Sequence, residues 1–470
     1  MGSELNTYNF SEGDFAAFKA HVEQETRELK NYFNDGVFHS EHPVGGFELE
    51  AWIVDKDARP VAQNERFLAN INSKDVVPEL SQFNFEINVP PHTLRKDALS
   101  RFERDLLVIW QKCLRTANNL GYSTMTIGIH PCIRDYQLSL INLSEIPRCR
   151  ALNEQILAQR QGKPLRLHIE GAETLDIVKH DVVVGAAATS FQIHLKVKQE
   201  QAARAHNISQ IISAPLLAVS ANSPYAFDVE LWDETRIPLS ERSMHTGDNS
   251  NKRIHFGRAY IKQSLFELFE INAREFPVLL PEALSDGRPL PHLRMHNGTV
   301  WRWNRPLIGF NDDGSFHLRI ENRVVSAGPT MVDCVANAAF YWGLVEAYLH
   351  IQPELEKNIP FNFAKKNFYV CAEHSLHSKL EWTHGRAVSC TDLILRELLP
   401  LAHAGLLRLG LDEEEILHYL AIIEGRVLRQ QNGAIWQKNW IAKHGRDMQE
   451  LSLAYLEQQH TQKPVHLWKV

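Results

Sequence analysis

The spacing of apolar and polar residues changes along the chain from a helical period to an alternating one and back, and the changes mark its elements. Ser11-Glu12-Gly13-Asp14 has the form of a capping box ahead of an apolar-periodic stretch, so a helix is expected over about 14 to 32, ended by Asn34-Asp35-Gly36. After Gly45-Gly46 the period falls to two. Phe47 to Asp55 alternates as a strand, and Phe83 to Val89 alternates again and is expected to stop at Pro90-Pro91. An amphipathic helix over 96 to 119 and a strand from Tyr122 to Ile129 follow, whereas 145 to 182 gives mixed signals and carries no assignment. Ser190 to Val197 alternates cleanly, and Ile211 to Phe227 reads as a buried helix broken at its second proline, Pro224. From 231 to 310 the chain is rich in Arg, His, Pro and Trp with little period. His317 to Val325 is the last strand-like run, closed by Gly328-Pro329; Thr330 and Asp333 then cap a helix to about His350, apolar nearly all round and so expected to be buried. Helical periodicity returns near 391–409, 412–430 and 446–459, with no further strand, so the chain divides into 1–350 and a helical C-terminal extension, 351–470, joined near Pro353 or Pro360.

Successive side chains of a strand point to opposite faces, so the four alternating runs sort into two inventories. One face collects Phe47, Leu49, Ala51, Phe83, Phe85, Ile87, Phe191, Ile193, Leu195, Leu318 and Ile320. The other collects Glu48, Glu50, Asn84, Glu86, Gln192, His194, Arg319, Glu321 and Arg323. The expectation is an α+β fold: a mainly antiparallel sheet with helices on its apolar face and an open cleft on its polar one.

Composition narrows the function classes. The 470 residues are 44% hydrophobic and 23% charged, ordinary for a globular protein. Lys plus Arg number 50 against 57 Asp plus Glu, a net charge of −7, which argues against nucleic acid and anionic membranes as partners. No apolar run approaches the ~18 residues of a spanning helix, the N-terminal stretch lacks the form of a signal peptide, and Asn6 stands where Met1-Gly2 myristoylation wants Ser or Thr. Six dispersed cysteines without a C-x-x-C pair fit reduced thiols in the cytoplasm.

Two carboxylates two residues apart on one strand repel, and a cation between them is the simplest relief. Glu48, Glu50, Glu86 and Glu321 with the single His194 form a donor set dominated by hard oxygens, which suits Mg²⁺ or Mn²⁺ better than zinc. Arg319 and Arg323, flanking Glu321, supply the fixed positive charge that phosphoryl oxygens need, so Arg319 is a candidate for ATP phosphates. Neither a P-loop, nor G-x-S-x-G, nor H-E-x-x-H is present, so nucleotide phosphates must be held by metal and arginine.

The order of motifs resembles the glutamate-cysteine ligase type 2 or carboxylate-amine ligase family, whose catalytic domain has the glutamine-synthetase-like fold. The resemblance spans roughly 45 to 350. It runs through G-F-E-L-E at 46–50, Glu79 and Glu86 before Pro90-Pro91, Gly128-x-His130-Pro131, the strand holding His194, L-L-A-V-S-A-N-S-P at 216–224, Arg305-Pro306, and R-I-E-N-R-x(5)-P-T at 319–330. Asn322-Arg323 departs from the family's usual Val-Arg, and the residues after 350 exceed its compact members. The resemblance implies small-molecule substrates and use of ATP and divalent cations to convert a carboxylate to an acyl phosphate that an amine then attacks, with glutamate and cysteine the first pair to consider. It implies Glu50, Glu79 and Glu86 on one metal; Glu48, His194 and Glu321 on another that bridges the ATP phosphates; Arg323 at the transferring phosphoryl group; and Arg236 and Arg305 at substrate carboxylates. A metal-dependent hydrolase using the same cluster, and an inactive nucleotide- or amino-acid-binding protein, stay open, as does a homo-oligomer.

Three further features have plain readings. His374, His377 and His384 fit surface or packing roles, Trp301 and Trp303 fit alternation in a half-buried strand as well as adenine stacking, and Glu413-Glu414-Glu415 fits a solvated helix start.

Overall fold

The structure is a computed structural model and describes residues 5, 7–247 and 252–470, so Met1-Gly2 and Asn6 lie outside the described residues. Ser11 caps α1 (Glu12–Asp35) reciprocally with Asp14, and Gly36 ends it in the left-handed conformation. The strands β1 (Val44–Val54), β2 (Val76–Pro78), β3 (Asn84–Thr93), β4 (Ser123–Met125), β5 (Ser190–Val197), β6 (Asn304–Phe310) and β7 (Phe316–Ser326) form one seven-stranded antiparallel sheet. Its order is β6-β7-β5-β1-β3-β2, with β4 beside the end of β1.

Several strands differ from the pattern-based expectation. β3 continues through Pro90 and Pro91 to Thr93, because the β1–β3 register shifts between Gly45 and Phe47, and the prolines fall in that shift, where no ladder N–H is required of them. β6 was hidden in the aperiodic 231–310 region by Pro306 and Gly309, and β4 is only three residues long within the expected 122–129. The unassigned 145–182 holds a helix, Pro147–Gln159, and a hairpin of Leu165–Glu170 with Thr174–Lys179.

Three helices, α2 (Ala98–Asn119), α3 (Gln199–Ser220) and α4 (Met331–His350), cover the apolar face of the sheet. Phe47, Leu49, Phe85, Ile87, Phe191, Ile193, Leu318 and Ile320 are buried beneath them. The helix over 331–350 is capped by Thr330 through the Asp333 amide and is buried almost throughout, as its pattern required. Trp342 reaches from it to donate to the His194 carbonyl at 3.1 Å.

The residues after 350 pack on the back of this layer. The helix Phe361–His374 lies against α3, and α5 (Leu399–Leu409) and α6 (Glu413–Leu428) lie against α4. The approach of α5 is close enough that a Cβ at Gly405 would overlap the Gly343 carbonyl and one at Gly343 would overlap the Ala402 carbonyl. Glu415 accepts from the Leu99 and Ser100 amides at the start of α2, a capping role beyond the solvated one its sequence suggested. Buried Arg426 pairs with Asp333 at 2.7 Å. From α7 (Met448–His460), Gln459 reaches Thr126 and the Pro329 carbonyl. A short hairpin, Lys379–Glu381 with Ala387–Ser389, corrects the expectation of helices alone. No helix among the described residues is long and apolar enough to cross a membrane.

Two predictions follow from this packing. A methyl at Gly343 must push α5 away from α4, so Gly343→Ala should lower stability by about 1–3 kcal/mol, read from denaturant midpoints; an unchanged midpoint would show that the helices can separate freely. Buried His206 is held neutral, with burial pushing its pKa down to about 4. The unfolded chain therefore takes up a proton below about 6.5 that the folded chain refuses, and stability is lost as pH falls. Between about pH 6.5 and 4, His206→Asn should flatten the fall of stability by about 1.4 kcal/mol per pH unit relative to the parent protein. Parallel curves would mean that His206 is protonated in the fold.

Candidate active site

The uncovered face of the sheet carries a cavity of about 500 Å³, walled by the helix Pro147–Gln159, the segments around 185–188 and 240–244, and the helix Pro291–Gly298. Register sets its floor in rows. Arg305, Glu321 and His194 are consecutive cross-strand neighbours on β6, β7 and β5, while Glu50 on β1 stands opposite Glu86 on β3. Glu48 stands between Gln192 and Asn88. Alternation thus brings charges from five strands onto one surface.

Glu48, Glu50, Glu79, Glu86, Arg305, Arg319, Glu321 and Arg323 all line the cavity. His194 sits beside them, its Nε2 3.4 Å from Glu48 and 3.9 Å from Glu321. Two groups of donors result. Glu48, His194 and Glu321 offer ligand atoms within 4.8 Å of one another, and so do Glu50, Glu79 and Glu86. Arg236 is placed elsewhere. Its guanidinium is buried beside β7, bonded to Glu234 at 2.9 Å and to the main-chain carbonyls of Arg323 and Val324, and it does not line the cavity.

The two groups differ in how their charge is met. Burial disfavours an anion at Glu321, yet Arg305 and Arg323 outweigh it and hold this carboxyl well below the ordinary range. Arg305 grips Glu321 with two bonds of 2.8 and 2.9 Å, and Arg323 adds a third at 2.9 Å. Burial also pushes His194 down to about 4, leaving Nε2 an unpartnered lone pair or proton between two carboxylates. In the second group, burial and the neighbours Glu50 and Glu86 raise Glu79 well above its usual range, while burial and Glu48 raise Glu86 to about 7. Glu50 is raised by burial despite Arg323 and despite bonds from the Ser190 amide and hydroxyl at 2.7 and 2.9 Å. A divalent cation suits both groups: the donors are almost all hard oxygens, one His nitrogen lacks a partner, and the second triad brings three carboxyls together.

Several lining residues had no role assigned from sequence. Arg148, half-buried at the start of the helix Pro147–Gln159, is within electrostatic reach of Glu79, Glu86 and Arg305. Pro147 at the first helical position was the available signal. Asn84 lines the cavity with Glu50 and Glu86, and its buried Nδ2 has no hydrogen-bond partner. Asp286 and Arg294 pair at the wall. Trp301 also lines the cavity, whereas Trp303 is buried with its Nε1 on Glu241 at 2.9 Å; both precede β6 instead of alternating within it. His374, His377 and His384 join no candidate metal group among the described residues.

An antiparallel sheet with helices behind and carboxylate groups in front accords with an ATP-dependent carboxylate-amine ligase, the class that the family match shows. The chain belongs to glutamate-cysteine ligase family 2, whose model matches residues 44–426, and this membership sets the hydrolase reading aside. Among solved structures it is similar to a glutamate–cysteine ligase of Francisella tularensis in complex with AMP, at 14% identity over 90% of each chain and a TM-score of 0.57. It is also similar to a bifunctional glutathione synthetase of Pasteurella multocida, at 11% identity and a TM-score of 0.51, covering 93% of this chain but 55% of that one. At these identities the likeness is one of fold. No curated protein sequence matches the chain.

If the second triad holds a cation, Mn²⁺ titrated into the nucleotide-free protein should bind, and Glu86→Gln should weaken that binding by about tenfold or more as one hard anionic ligand is lost. Binding unaffected by Glu86→Gln, measured by electron paramagnetic resonance, would remove this triad as a cation site.

Proposed function

We propose that the chain uses ATP and Mg²⁺ or Mn²⁺ to join an amino-acid carboxylate to an amine, with γ-glutamylcysteine formation from glutamate and cysteine the first reaction to test. The observation that carries the reading is the adjacency of the Glu48–His194–Glu321 and Glu50–Glu79–Glu86 groups, with Arg305, Arg319 and Arg323 facing the same cavity. In this chemistry a carboxylate oxygen attacks the γ-phosphorus, the bond to ADP breaks, and the acyl phosphate loses phosphate when the amine nitrogen attacks its carbon and gives up a proton. Bound cations would neutralise the polyphosphate and orient it.

The chain's own groups divide the remaining work. Glu48, His194 and Glu321 would hold the cation on the ATP phosphates, and Glu50, Glu79 and Glu86 the other. Arg319 supports the ATP phosphates, with its Nε unpartnered in the fold. Arg305 and the nearby Arg148 face the substrate carboxylates. Arg323, two residues from Glu321 on the same strand, meets the phosphoryl group as charge shifts between oxygens. Walls on either side of the cavity would limit the water that reaches the acyl phosphate. We place the reaction in the cytoplasm, and we assign the helices after residue 350 to stability instead of chemistry.

ADP release over a panel of amino-acid pairs with Mg²⁺ tests the reading; release that depends on glutamate plus an amine supports it, and release indifferent to every carboxylate substrate contradicts it. Arg323→Lys should lower kcat by on the order of 100-fold while changing the ATP dissociation constant by less than roughly tenfold, the pattern of an interaction made in the transition state. Near-normal turnover in that variant would withdraw the role. Glu321→Gln, by contrast, should weaken metal–ATP binding itself, measured by calorimetry.

A further inference from the structure

β7 does not run evenly past the cavity. Its pairing with β5 shifts between Asn322 and Val325, so Arg323 and Val324 lie in a bulge where the ladder to β5 is broken. The bulge has its own supports. The Arg323 amide donates to the Trp303 carbonyl at 2.8 Å. The carbonyls of Arg323 and Val324 both accept from one guanidinium, that of Arg236, through Nη1 at 3.3 Å and through Nη2.

Arg236 is itself held. Its Nε donates to Glu234 at 2.9 Å, and Glu234 also accepts from the Ser326 hydroxyl and from the Asn222 amide at 2.8 Å. Glu234 and Arg236 are 1% and 2% exposed. Asn222 in turn donates to the Ala327 carbonyl at 2.9 Å and to the Tyr455 hydroxyl at 2.8 Å, and accepts from Gln437 at 3.0 Å. A continuous chain of hydrogen bonds therefore runs from the C-terminal helices, through a buried ion pair, to the main chain on which Arg323 is mounted.

We infer that Arg236 is a positioning residue: with Glu234 it fixes the bulge of β7 and so aims the Arg323 guanidinium at Glu321 and Gln192, in place of contacting substrate. A planar fork of donors matches two adjacent carbonyls and a carboxylate at once, which a point charge cannot do. A strand without the bulge would carry residues 323 and 325 on the alternating register, whereas here the shift separates the direction of Arg323 from that of Val325. Arg323, so aimed, donates to Gln192 and to Glu321. Loss of the Arg236 fork leaves two carbonyls to find new partners in a buried place, and the bulge must move.

The kinetic half of the test rests on the proposed ligase activity; the exchange half does not. In Arg236→Lys, hydrogen exchange of amides 323 to 326 should speed by about tenfold or more while protection of β1 and β5 is kept. The same variant should lower kcat by about tenfold or more with both KM values changed less than about threefold, and in an Arg323→Lys background its further effect should fall below about twofold. Ser326→Ala, which removes an anchor of Glu234 and leaves Arg236 intact, should move exchange in the same direction by a smaller factor and serves if Arg236→Lys fails to fold. Unchanged exchange at 323 to 326 overturns the inference. So does a carboxylate-substrate KM raised tenfold with kcat kept, or kinetic losses that simply multiply in the double variant. If the parent protein releases no ADP with any amino-acid pair, the ligase reading fails and the exchange result alone decides this one.

Discussion

Five carboxylates, those of Glu48, Glu50, Glu79, Glu86 and Glu321, share one cavity, and they cannot all be anions there unless positive charge comes among them. The described residues meet that demand unevenly. At Glu321 it supplies two arginines, and the carboxyl is held ionised against burial. Around Glu79 and Glu86 it supplies less, and both are pushed toward their protonated forms. A divalent cation would answer the remaining demand, and the proposed chemistry grows from this asymmetry. One side of the cavity has arginines bonded to its carboxylate, and the other has fewer cations among the described residues.

Such a site needs a floor that does not yield. Antiparallel pairing fixes Glu321 beside His194 and Glu50 beside Glu86, and the apolar reverse of the same strands is locked under α2, α3 and α4. Those helices are braced from behind by the residues after 350, through the close contact of Gly343 with α5 and the buried Asp333–Arg426 pair. A buried pair of this kind stabilises little relative to apolar side chains, but removing either partner leaves an uncompensated charge, so it defines the placement of α6 sharply. The same logic applies to Glu234 and Arg236, where the object being placed is a main-chain bulge.

Much of the floor was legible in the sequence because strands write their faces at a period of two. Glu48, Glu50, Glu86, His194, Glu321, Arg319 and Arg323 were separable from the core by alternation alone, and all converge. Glu79 was not: it follows the three-residue β2, off any alternating run, and only the motif resemblance singled it out. β6 escaped because Pro306 and Gly309 interrupt its pattern, although Arg305 on it was found through the same resemblance. Arg236 shows the other limit. Its reach to the carbonyls of β7 depends on a bulge, which shifts register without any residue that announces it. The walls, including Arg148, belong to segments whose helix and hairpin are short and whose periods are weak, so their contribution became visible only in three dimensions.

The central claim is that this paired-carboxylate cavity activates a carboxylate by phosphorylation. The most direct measurement places ¹⁸O in the carboxylate of the acid substrate and follows it during turnover with ATP, Mg²⁺ and amine. One ¹⁸O is expected in the released phosphate for each amide formed. Amide formation with no ¹⁸O in phosphate would rule out the acyl phosphate.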